Sequence, residues 1–165
     1  MKKVGLGMGS DSDLPVMTKA CDMLDQLGIP YEVHVYSAHR TPVEARDFAL
    51  SARENGFGVI IAGAGMAAHL AGAIAANTTL PVIGIPCKSA QLDGIDALLS
   101  TVQMPPGVPV ATVGINGGVN AALLSAQILA VEDAALAEKL QAKREADAKK
   151  VLEKDRGILE RIQAR

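Results

Sequence analysis

The sequence predicts a three-layer α/β/α fold, a parallel sheet with helices on both faces and a long C-terminal helix. Three observations carry this expectation. Short apolar, largely β-branched runs alternate with segments of helical periodicity. The strand runs lack alternating polar residues, which suits parallel strands covered on both faces. Repeated strand–helix units then join those strands through right-handed crossovers.

Strands are expected at Val4–Met8, Tyr31–Tyr36, Val59–Ala62, Val82–Pro86 and Val110–Ile115. After the first, Met17, Ala20, Cys21, Leu24 and Leu27 recur at helical spacing, and Gly28 supplies the stop. After the second, Ala45, Phe48, Ala49 and Ala52 do the same, ending at Asn55-Gly56. Thr41 stands as N-cap of that helix, with Pro42 at the first helical position and Glu44 three residues on. The segments Ala67–Ala76 and Asn120–Ala130 are apolar nearly all round and are expected to be buried on every side, the second against another subunit. From Asp133 the chain reads as one long charged helix, broken at Gly157 and supported by a Glu145–Lys149 pair. Its Leu136, Leu140, Val151, Leu152, Leu159 and Ile162 cover a neighbouring subunit, or the helix is a solvated tail. Residues 1–165 are thus expected as one domain, with 133–165 a helical extension.

Composition narrows the class. A chain of 165 residues is long enough to bury a substantial core, and 49% of it is apolar. With two Tyr, two Phe and no Trp, that core is expected to rest on Ala, Val, Ile and Leu, with some surface hidden between subunits. A net charge of -2 argues against a nucleic-acid partner. Cys21 and Cys87 show neither C-x-x-C spacing nor another metal-ligand pattern and are expected as reduced thiols. No apolar run approaches the ~20 residues that span a bilayer. Met1-Lys2-Lys3 runs directly into a strand rather than an apolar leader, so the expected compartment is the cytoplasm.

In open parallel sheets the ligand lies beyond the carboxyl ends of the strands, at the switch point of strand order. The loops after strands one, two and three are therefore the place to look. The first is Gly9-Ser10-Asp11-Ser12-Asp13, where a helix start favours an anion and Ser10 and Ser12 add hydroxyl donors. Asp13 either caps the helix or accepts from a sugar hydroxyl. Gly5, Gly7 and Gly9 have the spacing G-x-G-x-G, not G-x-G-x-x-G, and strand two ends without an acidic residue, so a dinucleotide site is excluded. The second loop is Ser37-Ala38-His39-Arg40-Thr41-Pro42. Arg40 offers a planar fork suited to phosphate, and an imidazole such as His39, ~6.5 when unperturbed, can give and take a proton in one turnover. The third is Gly63-Ala64-Gly65-Met66-Ala67-Ala68-His69-Leu70, in which glycines admit a ligand and a helix start aims N–H groups at a carboxylate. Gly65, Met66, Ala67 and Leu70 form its ligand wall. His69 either joins in proton transfer or fixes the loop by hydrogen bonds.

These three loops, in this order, resemble the 5-(carboxyamino)imidazole ribonucleotide mutase family, also called the catalytic subunit of phosphoribosylaminoimidazole carboxylase. The likeness continues through Asp96-Ala97-Leu98-Leu99-Ser100, Val102-Gln103-Met104-Pro105 with Gly107, and Asn120-Ala121-Ala122-Leu123-Leu124, spanning roughly Val4 to Ala130. The resemblance implies a flavodoxin-like sheet, a homo-octamer, a small ribonucleotide substrate and no cofactor or metal. It also implies that Ser10, Asp13, Ser37 and Arg40 bind the ribose phosphate and that His39 is the catalytic acid and base. Three residues depart from the family pattern: Met66 stands where glycine is usual, Ala71 where proline is usual and Ala97 where serine is common.

A related branch carboxylates aminoimidazole ribonucleotide directly with carbon dioxide; its second loop tends to carry lysine after the histidine. Arg40, Pro42 and Ala67-Ala68-His69-Leu70 favour the mutase. Rival functions of the same fold lack their residues. A phospho-receiver needs an aspartate where Ala62-Gly63-Ala64 stands, and a flavin carrier needs aromatic rings that the first and third loops lack.

Overall fold

A computed structural model describes residues 1–164. Its elements run β1 (Lys3–Met8), α1 (Leu14–Leu27), β2 (Tyr31–Val35), α2 (Pro42–Ser51), β3 (Phe57–Gly65), α3 (Leu70–Ala75), β4 (Val82–Cys87), α4 (Ile95–Val102), β5 (Ala111–Thr112), α5 (Gly118–Ala130) and α6 (Ala134–Gln163). The strands form one sheet in the order β2-β1-β3-β4-β5, every neighbouring pair parallel. Strand order reverses between β1 and β3, so the switch point lies among the loops after the first three strands.

The two faces are covered separately. Val59 and Ile61 of β3 join β1, β4, α1 and α5 in one core, with Leu136 of α6 beneath them. Ile60 and Ala62, the alternate residues of β3, point into a second core with Phe48 of α2 and Leu70 and Ile74 of α3. Burial on both faces is the physical reason for the uninterrupted apolar runs of β1, β3 and β4, whereas the edge strand β2, with Glu32 and His34, is half-exposed. Gly28 ends α1 in the left-handed conformation expected of a stop glycine.

Several local expectations change. The fifth strand is two residues long, not Val110–Ile115. Gly84 and Pro86 turn their carbonyls toward it, accepting from Val113 and Asn116, and the next rung would need an N–H that Pro86 lacks. The helix expected at Ala67–Ala76 begins only at Leu70, because the preceding residues are held in a loop by α4. That helix, α4, lies in a stretch for which no element was expected. Neither α3 nor α5 is buried on every side in the single chain: Val119, for example, is exposed. Thr41 occupies the N-cap position of α2 but makes no capping bond; its hydroxyl instead accepts from the Ser37 amide and donates to the Ser37 carbonyl.

The last helix runs through Gly157 without a break, since one interior glycine costs only about 1 kcal/mol. The Glu145–Lys149 pair does not form: Glu145 accepts from Gln141, while Asp147 pairs with Lys143 and Lys150. Asp133 caps α6 by accepting from the Leu136 amide, and Lys139 Nζ donates to the Leu27 carbonyl at the end of α1. Leu136 is fully buried within its own chain and so is not available to a neighbour. Val151, Leu152, Leu159 and Ile162 stay exposed. Both cysteines are free thiols. Among the described residues no helix is long and apolar enough to cross a membrane.

Candidate active site

The carboxyl ends of β1, β2, β3 and β4 surround a cleft of about 660 Å³. It is lined by all the candidate residues named in the three loops: Ser10, Ser12, Asp13, Ser37, His39, Arg40, Gly65, Met66, Ala67, His69 and Leu70. Their convergence follows from register. Met8 at the tip of β1 pairs with Val35 of β2 and Gly63 of β3, so the three loops leave the sheet side by side.

Each loop is shaped by its own polar groups. In the first, Ser10 Oγ accepts from the Ser12 amide and the Ser12 hydroxyl and donates to Asp11 Oδ1, which ties the loop to itself. In the second, Ser37 Oγ accepts from the His39 and Arg40 amides, at 3.3 and 3.1 Å, and so sets the direction of both side chains. Arg40 reaches across to the first loop, where its Nη2 donates to the Gly9 carbonyl at 3.1 Å. The guanidinium therefore sits over the serines, beside the start of α1. A guanidinium beside a helix start has the donors and charge that suit an anion.

The third loop is held by Ser100 of α4. The Ala68 amide donates to Ser100 Oγ at 3.0 Å, and that hydroxyl also lies 3.3 Å from the Met66 carbonyl. Met66 has φ of +55°, a left-handed conformation that costs a side-chain-bearing residue about 1–2 kcal/mol and glycine nothing. The loop thus keeps a glycine's backbone path under a methionine, whose side chain projects from the cleft wall into solvent. Two of the amides expected to face a carboxylate are already spent, Ala68 on Ser100 of α4 and His69 on the Ala67 carbonyl.

His39 and His69, thirty residues apart in sequence, meet across the cleft. His39 Nε2 lies 2.8 Å from His69 Nδ1, and the rings are edge-to-face at 78°. One nitrogen must donate and the other accept, so a single proton lies between the two facing nitrogens. Both rings are exposed, leaving the cleft open in the single chain.

Asp13 is not a helix cap; its side chain makes no capping bond. It is buried at the cleft floor, 8% exposed, against Cys87. Burial raises its carboxyl above the ordinary carboxylate range, although the hydrogen bond from the Cys87 thiol opposes this. The thiol is itself pushed up to about 12, chiefly by burial and then by the nearby Asp13 charge, so it remains a donor at neutral pH. A carboxyl whose folded value is raised is most stabilising while protonated, and that contribution is lost as pH rises through the raised value. Asp13→Asn should therefore melt at a higher temperature than the parent at pH 7–8, with the gap closing as pH falls toward about 4. A melting series in which the gap stayed constant with pH would reject this account.

Sequence reasoning missed two lining residues, Lys88 and Ser89, which follow β4. The signal was a cation and a hydroxyl in the first two positions beyond a strand end, in a loop outside the three considered. Ser100 is a second omission, a helix residue that shapes the site from below. Among the described residues, no group of three or more His, Cys, Asp or Glu side chains is placed to hold a metal ion.

Known proteins resemble this chain in sequence and in fold. The family model described as AIR carboxylase matches residues 3–150. The N5-carboxyaminoimidazole ribonucleotide mutase of Bacillus subtilis is 59% identical over 152 residues, covering 91% of this chain and 94% of its own. The phosphoribosylaminoimidazole carboxylase of Saccharomyces cerevisiae is 56% identical over 138 residues, which is 84% of this chain but 24% of the yeast protein. The crystal structure of Treponema denticola PurE superposes with a TM-score of 0.83 at 29% identity, over 92% of this chain and 95% of that one.

Proposed function

The chain belongs to the AIR carboxylase family, and from that premise we propose that it is a cofactor-independent mutase of de novo purine synthesis. It converts 5-(carboxyamino)imidazole ribonucleotide into 4-carboxy-5-aminoimidazole ribonucleotide. The observation that carries this reading is the His39–His69 pair, held 2.8 Å apart in the same cleft as the Arg40, Ser10 and Ser12 cradle.

The phosphoryl group is anchored by Arg40, Ser10, Ser12 and Ser37, with Asp13 on the ribose hydroxyls. The bond between the exocyclic nitrogen and the carboxyl carbon breaks, carbon dioxide leaves, and His39 delivers a proton to that nitrogen. Ring carbon 4, made electron-rich by the amino group, then attacks the retained carbon dioxide, and His39 takes up the proton that carbon 4 releases. With Nε2 engaged by His69, Nδ1 is the His39 nitrogen left for the ligand. His69 either relays the proton or holds the ring in one orientation. The walls of Gly65, Met66, Ala67 and Leu70 confine the carbon dioxide, and confinement of both fragments lowers the barrier by several kcal/mol.

One chain leaves the cleft open, and closure is assigned to assembly. A homo-octamer, as the family resemblance implies, is supported by exposed Val33, Val35, Val43 and Leu50 around β2 and α2. On this reading residues 1–165 act as one mutase unit, with 133–165 an extension, and work in the cytoplasm, where free Cys21 and Cys87 are at home.

The test offers the purified protein both candidate substrates with bicarbonate depleted. Prompt turnover of the carboxyamino ribonucleotide is expected. Turnover of aminoimidazole ribonucleotide alone, and only once carbon dioxide is restored, would replace the mutase with a direct carboxylase.

A further inference from the structure

The mutase's ligands carry negative charge at two ends, a phosphoryl group and a carboxylate. The cleft has two permanently cationic side chains, and only Arg40 has been given a partner. The other is Lys88. Gly65 of β3 pairs with Cys87 of β4, so Lys88 leaves the sheet directly beside Met66 and the third loop. Arg40 lies over β1, two strands away, a separation of about 10 Å at the usual strand spacing. The two cations therefore stand at opposite ends of the cleft, one over the phosphoryl cradle and one beside the wall that receives the carboxylate.

Two further observations point the same way. Two of the third loop's amides, those of Ala68 and His69, are spent on Ser100 and Ala67 and are lost to a carboxylate. Lys88, in contrast, is held only loosely. Its Nζ lies 2.9 Å from Asp93 Oδ1, with 55% of the lysine and 80% of the aspartate side chain exposed. Exposed pairs of this kind contribute little and exchange readily. Its backbone, however, is fixed: the Lys88 amide donates to Asn116 Oδ1 at 2.9 Å, and Gly94 packs against its Cα. The segment that carries Asp93 back toward it runs through three successive left-handed residues, Leu92, Asp93 and Gly94, with φ of 42°, 52° and 92°. Leu92 holds that strained conformation while 69% exposed, so no burial explains it.

We propose that Lys88 is a carboxylate-binding, specificity-determining residue of this cleft, parked on Asp93 until the ligand's carboxylate replaces it. The inference rests on the mutase reading. On binding, the ammonium exchanges one carboxylate partner for another, and the Asp93 carboxylate, 80% exposed, is left to water.

Calorimetric titration of the full-length protein tests it, with 4-carboxy-5-aminoimidazole ribonucleotide and its uncarboxylated counterpart as the two probes. Lys88→Met should weaken the carboxylated ligand about tenfold and leave the uncarboxylated one within about twofold. Lys88→Arg should restore most of the difference, and Asp93→Asn should tighten the carboxylated ligand alone. If Lys88→Met weakened both ligands equally, or neither, the inference would be overturned while the mutase reading stood. If the parent protein bound neither ribonucleotide, both would fall together.

Discussion

The His39→Asn protein should bind 4-carboxy-5-aminoimidazole ribonucleotide within about threefold of the parent while its turnover falls by about 10²–10⁴-fold. Asparagine keeps a polar group of similar reach beside His69 but has no lone-pair nitrogen that changes protonation near neutrality. The phosphoryl cradle of Arg40, Ser10 and Ser12 does not depend on the imidazole: Arg40 is positioned by the Gly9 carbonyl and by Ser37. Binding and chemistry should thus separate in one variant. A direct titration and a single-turnover measurement check this, and near-normal turnover would remove His39 from its assigned role. His69→Asn distinguishes the two roles left open for its ring. A relay predicts a loss approaching that of His39→Asn, whereas an orienting partner predicts a partial loss.

Gly118→Ala should unfold the protein far more readily, by about 3 kcal/mol or more, lowering the melting temperature by about 10 °C. A methyl carbon at this position would stand 2.3 Å from the Val16 carbonyl oxygen and 3.3 Å from the Ala20 amide nitrogen. Both are backbone atoms of α1, so no side-chain rotation relieves the contact. The helices would have to part, and with them the core that Ala121, Ala122 and Ala126 share with Met17, Ala20 and Leu24. Gly114→Ala is the matched control, because nothing lies within 4 Å of its added carbon and its φ is not left-handed; its effect should stay within about 0.5 kcal/mol. Equal melting temperatures for the two variants would show that α1 and α5 are not held at this distance.

These two predictions differ in how visible they were from the chain alone. His39 and Arg40 stood out because the chemistry is local: a strand end, a serine, a histidine and an arginine occupy consecutive positions. Gly118 carried no such mark. Its requirement comes from a helix about a hundred residues earlier, whose backbone approaches at a place no pattern in the 118–130 segment encodes.

The apolar runs and helical periodicities by themselves determined the layered parallel sheet, four of its five strands and the three loops that leave it, because burial on two faces writes itself into the residues of the central strands β1, β3 and β4. What only the tertiary structure decided were contacts between distant segments. Thr41 spent its hydroxyl on Ser37 instead of α2, Pro86 cut β5 to two residues, and Ser100 held the third loop so that α3 starts late. The meeting of His39 with His69 and the placing of Lys88 beside Met66 belong to the same class. A hydrogen bond chooses its partner by proximity, and proximity between residues far apart in sequence exists only once the sheet has brought its strand ends together.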